Sequence, residues 1–276
     1  MIKDLEGINI GGNNINNIRF ADDTTLLAFS EKELQILIDK LAEASEGKGL
    51  KINTRKTFTM VVTKHKEVPK CRILLNGREI EQVSQFKYLG SIITSDGRSD
   101  KDIRTRIGMA KSAFMEMKQI LTSKKISKET RLRILKCYVW SVLLYGAETW
   151  TISKDMKKKL EAAEMWFYRR MLKVPWTDKR TNKEILQMME EEQTLLDTIK
   201  LRQLKFFGHS MRKNGLENLA VTGMVMGKRS RGKQRSKYTD RLREGLEIDT
   251  NIELLRKTRD RETWRSMVAD ASMHGT

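Results

Sequence analysis

Phe20-Ala21-Asp22-Asp23 lies between two short runs, residues 14–19 and 24–29, in which several apolar and polar side chains alternate. The apolar positions of this alternation are Ile18, Phe20, Leu26 and Ala28. A period of two over so short a distance predicts two β-strands joined by a tight turn within residues 21–24. The two acids therefore lie at the tip of a predicted β-hairpin.

Two adjacent carboxylates at a hairpin tip repel one another, which makes it harder for both to ionise. A divalent cation removes this cost, and Mg²⁺ is typically held by one or two carboxylates together with the phosphate oxygens of a substrate. Taken alone, an Asp-Asp pair is more often a solvated turn than a metal site. The choice between these interpretations depends on the rest of the chain.

Several further motifs follow in a fixed order, and the first two are Gly49-Leu50-Lys51-Ile52-Asn53-Thr54-Arg55-Lys56-Thr57 and Phe86-Lys87-Tyr88-Leu89-Gly90. Later stretches at 144–150, 166–172, 174–177, 207–209 and 227–235 continue the series. The Asp22-Asp23 hairpin and the first two motifs together resemble the second half of a reverse-transcriptase palm. More closely, nearly the whole chain is similar to the polymerases of RTE-like non-LTR retrotransposons.

This resemblance implies an α+β fold in three parts. Residues 1–97 would form a partial palm, an antiparallel sheet with one helix, carrying the catalytic hairpin and a primer-grip-like segment. Residues 98–176 would form a mostly helical thumb-like domain. Residues 177–276 would form a basic helical C-terminal region with a flexible segment near 223–237. The change from strand-like to helical patterns near residue 98 agrees with the first boundary.

The resemblance also implies a metal site and a general acid. Asp22 would be a direct ligand of Mg²⁺ or Mn²⁺, and Asp23 the supporting carboxylate. Lys56 would protonate or neutralise the pyrophosphate leaving group. Without the motif around it, a surface lysine beside Arg55 would be the favoured interpretation of Lys56.

The primer-grip hairpin of the family corresponds to Phe86, Tyr88, Leu89 and Gly90. Ordinary strand packing explains the side chains of Phe86 and Leu89 equally well. The implied reaction is two-metal nucleotidyl transfer to a DNA primer 3′-OH on an RNA template, so an RNA template and a DNA primer or target are the expected partners.

The first catalytic aspartate of the family lies well upstream of the hairpin, and the sequence before Asp22 offers only Asp4 and Glu6 outside that context. We therefore expect the chain to be a fragment that is inactive alone. An untranslated or unstable pseudogene product is a third possibility beside two biochemical hypotheses: the carboxy-terminal half of an RNA-directed DNA polymerase, and a nucleic-acid-binding remnant without catalysis. Primer extension distinguishes them.

Composition favours an anionic partner. The 276 residues include 54 Lys and Arg against 36 acids, which gives a net charge of +18 and a pI near 9.9. The clearest phosphate-binding candidates form one basic run, Lys228, Arg229, Arg231, Lys233, Arg235 and Lys237. The run Trp166 to Arg170 also mixes aromatics with arginines, although helix packing explains Trp166 equally well.

The cysteine content and the apolar pattern limit the cellular compartments in which the protein is expected. Two distant cysteines do not make a disulfide framework, and three histidines provide no zinc-ligand cluster. No signal peptide or membrane-spanning run is evident, which predicts a nuclear or cytoplasmic protein without a membrane partner.

Local patterns predict the individual elements. Strands are expected around 7–12, over 51–62, over 72–80 with Asn76-Gly77 at the turn, and over 83–94. Helices are expected after four capping residues, Ser30, Ser127, Ser153 and Thr181, again from about 195 to 206, and once or twice in the tail, where Trp264 is the largest anchor.

Overall fold

The computed structural model describes residues 5–65, 67–192, 194–223 and 237–273, and these residues form an α+β chain. The contacts divide it into two compact units. The hairpin unit comprises the described parts of Met1–Tyr88, Ile93–Gly97 and Lys213–Lys233. The helical unit comprises those of Leu89–Ile92, Arg98–Arg212 and Gln234–Thr276.

The strands form four antiparallel hairpins. They are β1 (Ile8–Ile10) with β2 (Asn13–Ile15), β3 (Asn17–Phe20) with β4 (Asp23–Leu26), β5 (Leu74–Leu75) with β6 (Arg78–Glu79), and β7 (Gln85–Tyr88) with β8 (Ser91–Thr94). Within the described residues these hairpins are separate two-stranded sheets, so the prediction of one antiparallel sheet is wrong. Strands of two to four residues offer too few ladder positions to pair on both edges.

The turn chemistry of the third hairpin is confirmed. Asn76 and Gly77 have φ values of 51° and 74°, the left-handed conformations that a two-residue hairpin turn of this kind requires. The strand predicted over 51–62 is wrong. Asn53 accepts a hydrogen bond from the Arg55 amide and starts a 3-10 turn at Thr54–Lys56, so the backbone curls where the alternation suggested extension.

One long helix and a small core organise the hairpin unit. Helix α1 (Glu31–Glu46) begins at Ser30 with the predicted capping box, in which Ser30 and Glu33 each satisfy the amide of the other. Its buried face meets strand residues in a compact cluster: Ile38, Ala42, Ile73, Leu75 and Ile80, with Leu26, Leu34, Ile52 and Cys71 packed against it. A further short helix, α9 (Leu216–Thr222), was not predicted.

The remaining helices belong to the helical unit. They are α2 (Asp100–Glu116), α3 (Lys118–Leu121), α4 (Lys128–Ile134), α5 (Trp140–Leu143), α6 (Lys154–Leu172), α7 (Asn182–Met189), α8 (Leu195–Met211), α10 (Tyr238–Leu246), α11 (Asn251–Arg259) and α12 (Arg261–Met273). A π-helical segment, Leu135–Val139, joins α4 to α5. None of the described helices combines the length and apolarity needed to cross a bilayer.

The predicted helix starts are confirmed by hydrogen bonds. Ser127 accepts from the Thr130 amide, Ser153 from the Met156 amide and Thr181 from the Glu184 amide. The tail holds three helices where one or two were predicted. Thr250 caps α11, and the Asp260 side chain accepts from the backbone at the start of α12, so each polar residue begins a new helix.

The larger core of the helical unit lies where α2, α4 to α8 and their connections meet. Its largest side chains include Phe114 and Phe167, whose ring centroids lie 5.6 Å apart, and both are fully buried. On both long helices the core buries apolar side chains at helical spacing: Ile103, Ala110 and Phe114 on α2, and Met156, Leu160, Ala163, Phe167 and Met171 on α6.

A buried acid supports this core. The Glu164 carboxylate is 1% exposed and accepts hydrogen bonds from the Thr194 and Leu195 amides at the start of α8 and from the Tyr168 hydroxyl. These bonds stabilise the charged form, but burial outweighs them and raises the pKa of Glu164 to about 7.

A second core joins α8 to the tail helices around Phe207, Leu242, Leu254 and Trp264. The Trp264 indole donates to the Leu204 carbonyl at 3.1 Å and lies directly on Gly208. A Cβ atom added to Gly208 would come within 2.0 Å of the indole nitrogen. Glycine is therefore required there by close packing and not by backbone conformation.

The buried Glu164 makes stability depend on pH. Because its pKa is about 7 when folded and near 4.5 when unfolded, the folded chain retains a proton that the unfolded chain releases between these values. The unfolding free energy should fall as pH rises from 4.5 to about 7, by up to ~3 kcal/mol. Urea denaturation at pH 5 and pH 8 measures this fall. Glu164→Gln should flatten it, whereas Glu161→Gln on the same helix should retain it; an unchanged slope in Glu164→Gln contradicts the assignment.

A glycine pair tests the second core. Gly208→Ala should destabilise the chain by about 1–3 kcal/mol or more, since the new methyl group collides with Trp264. Gly108→Ala is the matched control on α2, where nothing lies within 4 Å, and should stabilise by up to about 1 kcal/mol through helix propensity. Thermal melts of both variants provide the comparison, and equal melting temperatures would rule out the packing described.

Candidate catalytic hairpin and nucleic-acid contacts

The predicted hairpin around the two acids is confirmed. Strands β3 and β4 pair antiparallel with Phe20 opposite Asp23, which leaves Ala21 and Asp22 as a two-residue turn. Ala21 adopts a φ of 51°, a left-handed conformation that costs a non-glycine residue energy. The turn thus places Asp22 at the tip and Asp23 at the start of the returning strand.

Both carboxylates face solvent and are unpartnered. Asp22 and Asp23 are exposed, and neither side chain has a hydrogen-bond or ion-pair partner among the residues that the structure describes. Two unneutralised adjacent carboxylates suit a divalent cation, which prefers oxygen ligands. The described residues contain no group of three or more His, Cys, Asp or Glu side chains that could hold a metal. A cation held by this pair would therefore take its other ligands from elsewhere, such as substrate phosphates.

Lys56 lies in the 3-10 turn that Asn53 caps, and its side chain is exposed. Ile52, just before this turn, and Leu26, at the end of β4, pack against the same small core of the hairpin unit. The structure therefore anchors the acidic hairpin and the lysine turn on one set of buried residues.

The segment after Lys56 contacts the one that leads into the primer-grip motif. The rings of Phe58 and Phe86 lie 5.7 Å apart. Thr59 donates to the Glu81 carbonyl and accepts from the Val83 amide. Phe86 therefore has a packing role, as the strand alternative for this residue suggested. The Tyr88 hydroxyl is buried without a partner among the described residues.

The turn at Leu89 and Gly90 is held by its carbonyl groups. The Tyr145 hydroxyl donates to the Leu89 carbonyl at 2.7 Å, and the Arg106 guanidinium donates to the Gly90 carbonyl while lying 4.3 Å from the Tyr145 ring centroid. Both turn residues have positive φ, 46° and 87°. The backbone of the motif is thus fixed, while the Leu89 side chain is 40% exposed.

Arg106 is a buried structural residue whose role the sequence did not predict. An arginine on a charged helix fits a phosphate contact or a solvated face equally well, but Arg106 is buried and clamps the turn. It follows Ile103 by three residues and precedes Ala110 by four, so it shares the buried face of α2 with both. That spacing was the available signal.

Asp102 shows a second structural use of a charged side chain. It is buried, accepts from the Ile92 amide at 2.8 Å and accepts from the Trp150 indole at 2.9 Å. The motif at 144–150 therefore contributes Tyr145 and Trp150 to packing around the Leu89–Ile92 segment, which belongs to the same unit.

Most of the basic run lies outside the described residues: Lys228, Arg229, Arg231, Lys233 and Arg235. Lys237 is described, and its exposed side chain stands at the start of α10, where its amide donates to Asp240 at 2.8 Å. His209 is exposed on α8.

Comparison with known proteins gives a family match and three curated relatives. Residues 1–93 match the family described as reverse transcriptase (RNA-dependent DNA polymerase). A putative uncharacterized transposon-derived protein of Caenorhabditis elegans is 27% identical over 94% of this chain and 97% of its own length. The Pol polyproteins of two retrotransposable elements also match: R2DM of Drosophila melanogaster is 27% identical over 61% of this chain, and R2 of Bradysia coprophila 29% identical over 45%.

The match to the two polyproteins is partial. It covers 16% of the Drosophila protein and 14% of the Bradysia protein. No solved structure matches the chain significantly. The family match contains the Asp22-Asp23 hairpin, the Lys56 turn and the Leu89-Gly90 turn, so this part of the chain is similar to reverse transcriptases, and the longer matches make the chain similar to polyproteins of retrotransposable elements.

Proposed function

We propose that this chain is the carboxy-terminal half of an RNA-directed DNA polymerase that extends a DNA primer on an RNA template. In this proposal residues 1–97 are part of a palm, residues 98–176 a thumb-like domain, and residues 177–276 a basic region that binds nucleic acid. The RTE-like type and the three-part division rest on the sequence motifs.

One observation carries the proposal. Asp22 lies in a two-residue hairpin turn and Asp23 directly after it, inside the part of the chain that matches the family, and both carboxylates are exposed and unpartnered among the described residues. A surface with an excess of 18 positive charges could easily pair them, yet the described contacts leave both available. Unpaired neighbouring acids are what a cation site for phosphate chemistry needs.

The roles of the residues follow from these positions. Bound divalent cations would polarise the attacking 3′ oxygen and stabilise the leaving pyrophosphate. Asp22, at the tip, would bind a cation directly. Asp23 would support it by adding negative charge beside the cation. Lys56, exposed on its capped turn, would donate a proton to the departing pyrophosphate, a contribution typically worth about 10² to 10⁴ in rate.

In this proposal the Leu89-Gly90 turn contacts the primer, and Phe86 does so less. Phe86 packs against Phe58, so its ring contributes to the fold of the segment. Leu89 and Gly90 form a turn whose carbonyls are already bonded, which gives a rigid edge for contact with a primer backbone. Tyr88 would support this turn from within.

A metal-binding measurement tests the hairpin directly. Asp22→Asn should weaken Mn²⁺ binding by the full chain about tenfold or more, since removing one negative charge near a divalent ion costs roughly 2 kcal/mol even in a water-like environment. Electron paramagnetic resonance of free Mn²⁺ measures it. Asp39→Asn is the control, an exposed acid on α1 whose carboxylate bonds Gln35. Equal Mn²⁺ affinities of the wild type and Asp22→Asn would contradict a metal site at this hairpin.

The alternative function is nucleic-acid binding without catalysis, and the net charge of +18 favours it independently of the hairpin. Primer extension with Mg²⁺ or Mn²⁺ separates the two. Incorporation that Asp22→Asn abolishes supports the polymerase. Binding of primed template that weakens steeply with salt, with no incorporation by the wild type, supports the non-catalytic binder.

A further inference from the structure

A cavity of about 810 Å³ opens in the helical unit, where α2, α6 and the start of α7 come together. We call it the α6 groove and define it by four cations and two indoles: Lys118, Arg169, Arg170, Lys173, Trp166 and Trp176. No carboxylate lines it, and none of the four cations is ion-paired to an acid in the described part of the chain. The groove is therefore a concave surface with uncompensated positive charge.

Trp176 is exposed to an unusual degree. It follows Pro175 in a 3-10 turn, and 81% of its surface is accessible to solvent. The Arg169 guanidinium lies 5.1 Å from the centroid of its ring. Other tryptophans of the chain, such as Trp140, Trp150 and Trp264, are buried. An indole held out at the edge of a cationic groove offers a flat face for a planar partner.

Arg169 carries a donor that the fold does not use. This side chain is only 8% exposed, and its Nη2 donates to the Arg180 carbonyl at 2.7 Å and to the Asn182 side chain at 3.2 Å. Its Nε is buried with no acceptor among the described residues. A buried donor left without a partner is costly, so the fold leaves the Arg169 guanidinium incompletely satisfied.

Trp166 and Arg170 form a second pair of an indole and a guanidinium along α6. The Arg170 guanidinium lies 4.4 Å from the Trp166 ring centroid, and the Lys111 amine lies 5.1 Å from it. Trp166 also packs edge-on against Phe114, so the core fixes the indole from behind. Cations above a fixed ring form a preorganised surface for an anion beside an aromatic group.

We propose that the α6 groove binds an unpaired stretch of RNA or DNA, with one base stacked on Trp176 and the adjacent phosphates held by Arg169, Arg170 and Lys173. The cations alone would accept any polyanion. The exposed indole adds a preference for unpaired bases, whose faces are free to stack, over a duplex. The inference rests on the proposed function only for the choice of a nucleic acid as the anion.

The test compares two probes on the full chain. Fluorescence anisotropy measures the dissociation constants for a labelled single-stranded dT12 and for a 12-base-pair duplex at fixed salt. Trp176→Ala should weaken dT12 binding by about tenfold or more and leave duplex binding within about twofold. The ratio of the two affinities is the readout, because the basic run at 228–237 is the same in both proteins and contributes to both probes. Thermal melts check that Trp176→Ala folds.

Substitution of two lysines distinguishes binding in the α6 groove from nonspecific electrostatic binding. Lys173→Ala should lower the salt dependence of dT12 binding by about 0.7 in the log–log slope, the amount expected for one phosphate contact to a single strand. Lys158→Ala on the same helix, outside the groove, is the matched control and should lower it less.

The outcomes that overturn the proposal are distinct. They are a single-strand preference unchanged in Trp176→Ala, an equal loss for both probes, or displacement of dT12 by a polyglutamate peptide as effective as unlabelled dT12. Both probes are measured in EDTA, so the cation site at Asp22 does not contribute to the binding of dT12. A negative result for Mn²⁺ binding at Asp22 would therefore not contradict nucleic-acid binding in the α6 groove. A negative result for the α6 groove would likewise not contradict the metal site.

Discussion

Buried polar groups that must find a partner constrain the helical unit. Gln203 on α8 donates to the carbonyls of Ala147 and Trp150, at the start of the 3-10 turn Ala147–Thr149 and just after its end. Glu164 satisfies two amides at the start of α8 in the same way. Because an unpaired backbone group inside a protein is costly, these contacts fix where the connections lie against the core. The apolar packing is built around those fixed points.

The same constraint separates structural from available charges. Arg106 is buried and donates its Nη2 to a backbone carbonyl, so it holds the Leu89-Gly90 turn. Arg169 is equally buried but keeps one donor unused. Asp22 and Asp23 are exposed and keep both carboxylates unused within the described residues. Function is proposed where charge is left over after the fold has been satisfied.

Local sequence signals predicted the elements that local chemistry fixes. The hairpin at Asp22 and the turn at Asn76 follow from short-range alternation and turn residues, and helix starts such as Ser153 follow from side-chain capping. The strand predicted over 51–62 was wrong because one capping residue, Asn53, outweighed an apparent alternation. The three-helix tail was underestimated because two polar caps interrupt a continuous helical pattern.

The sequence by itself determined the family motifs, the hairpin that carries the two acids, the faces of the long helices and the strong positive charge. The first three depend on residues near each other in the chain, and the charge depends only on the amino-acid composition. Only the tertiary structure decided that Arg106 is a clamp and that Trp176 stands exposed beside Arg169. An arginine or a tryptophan has the same local pattern whether it is buried, clamped or free, and what distinguishes them is which partners the packed helices bring within reach.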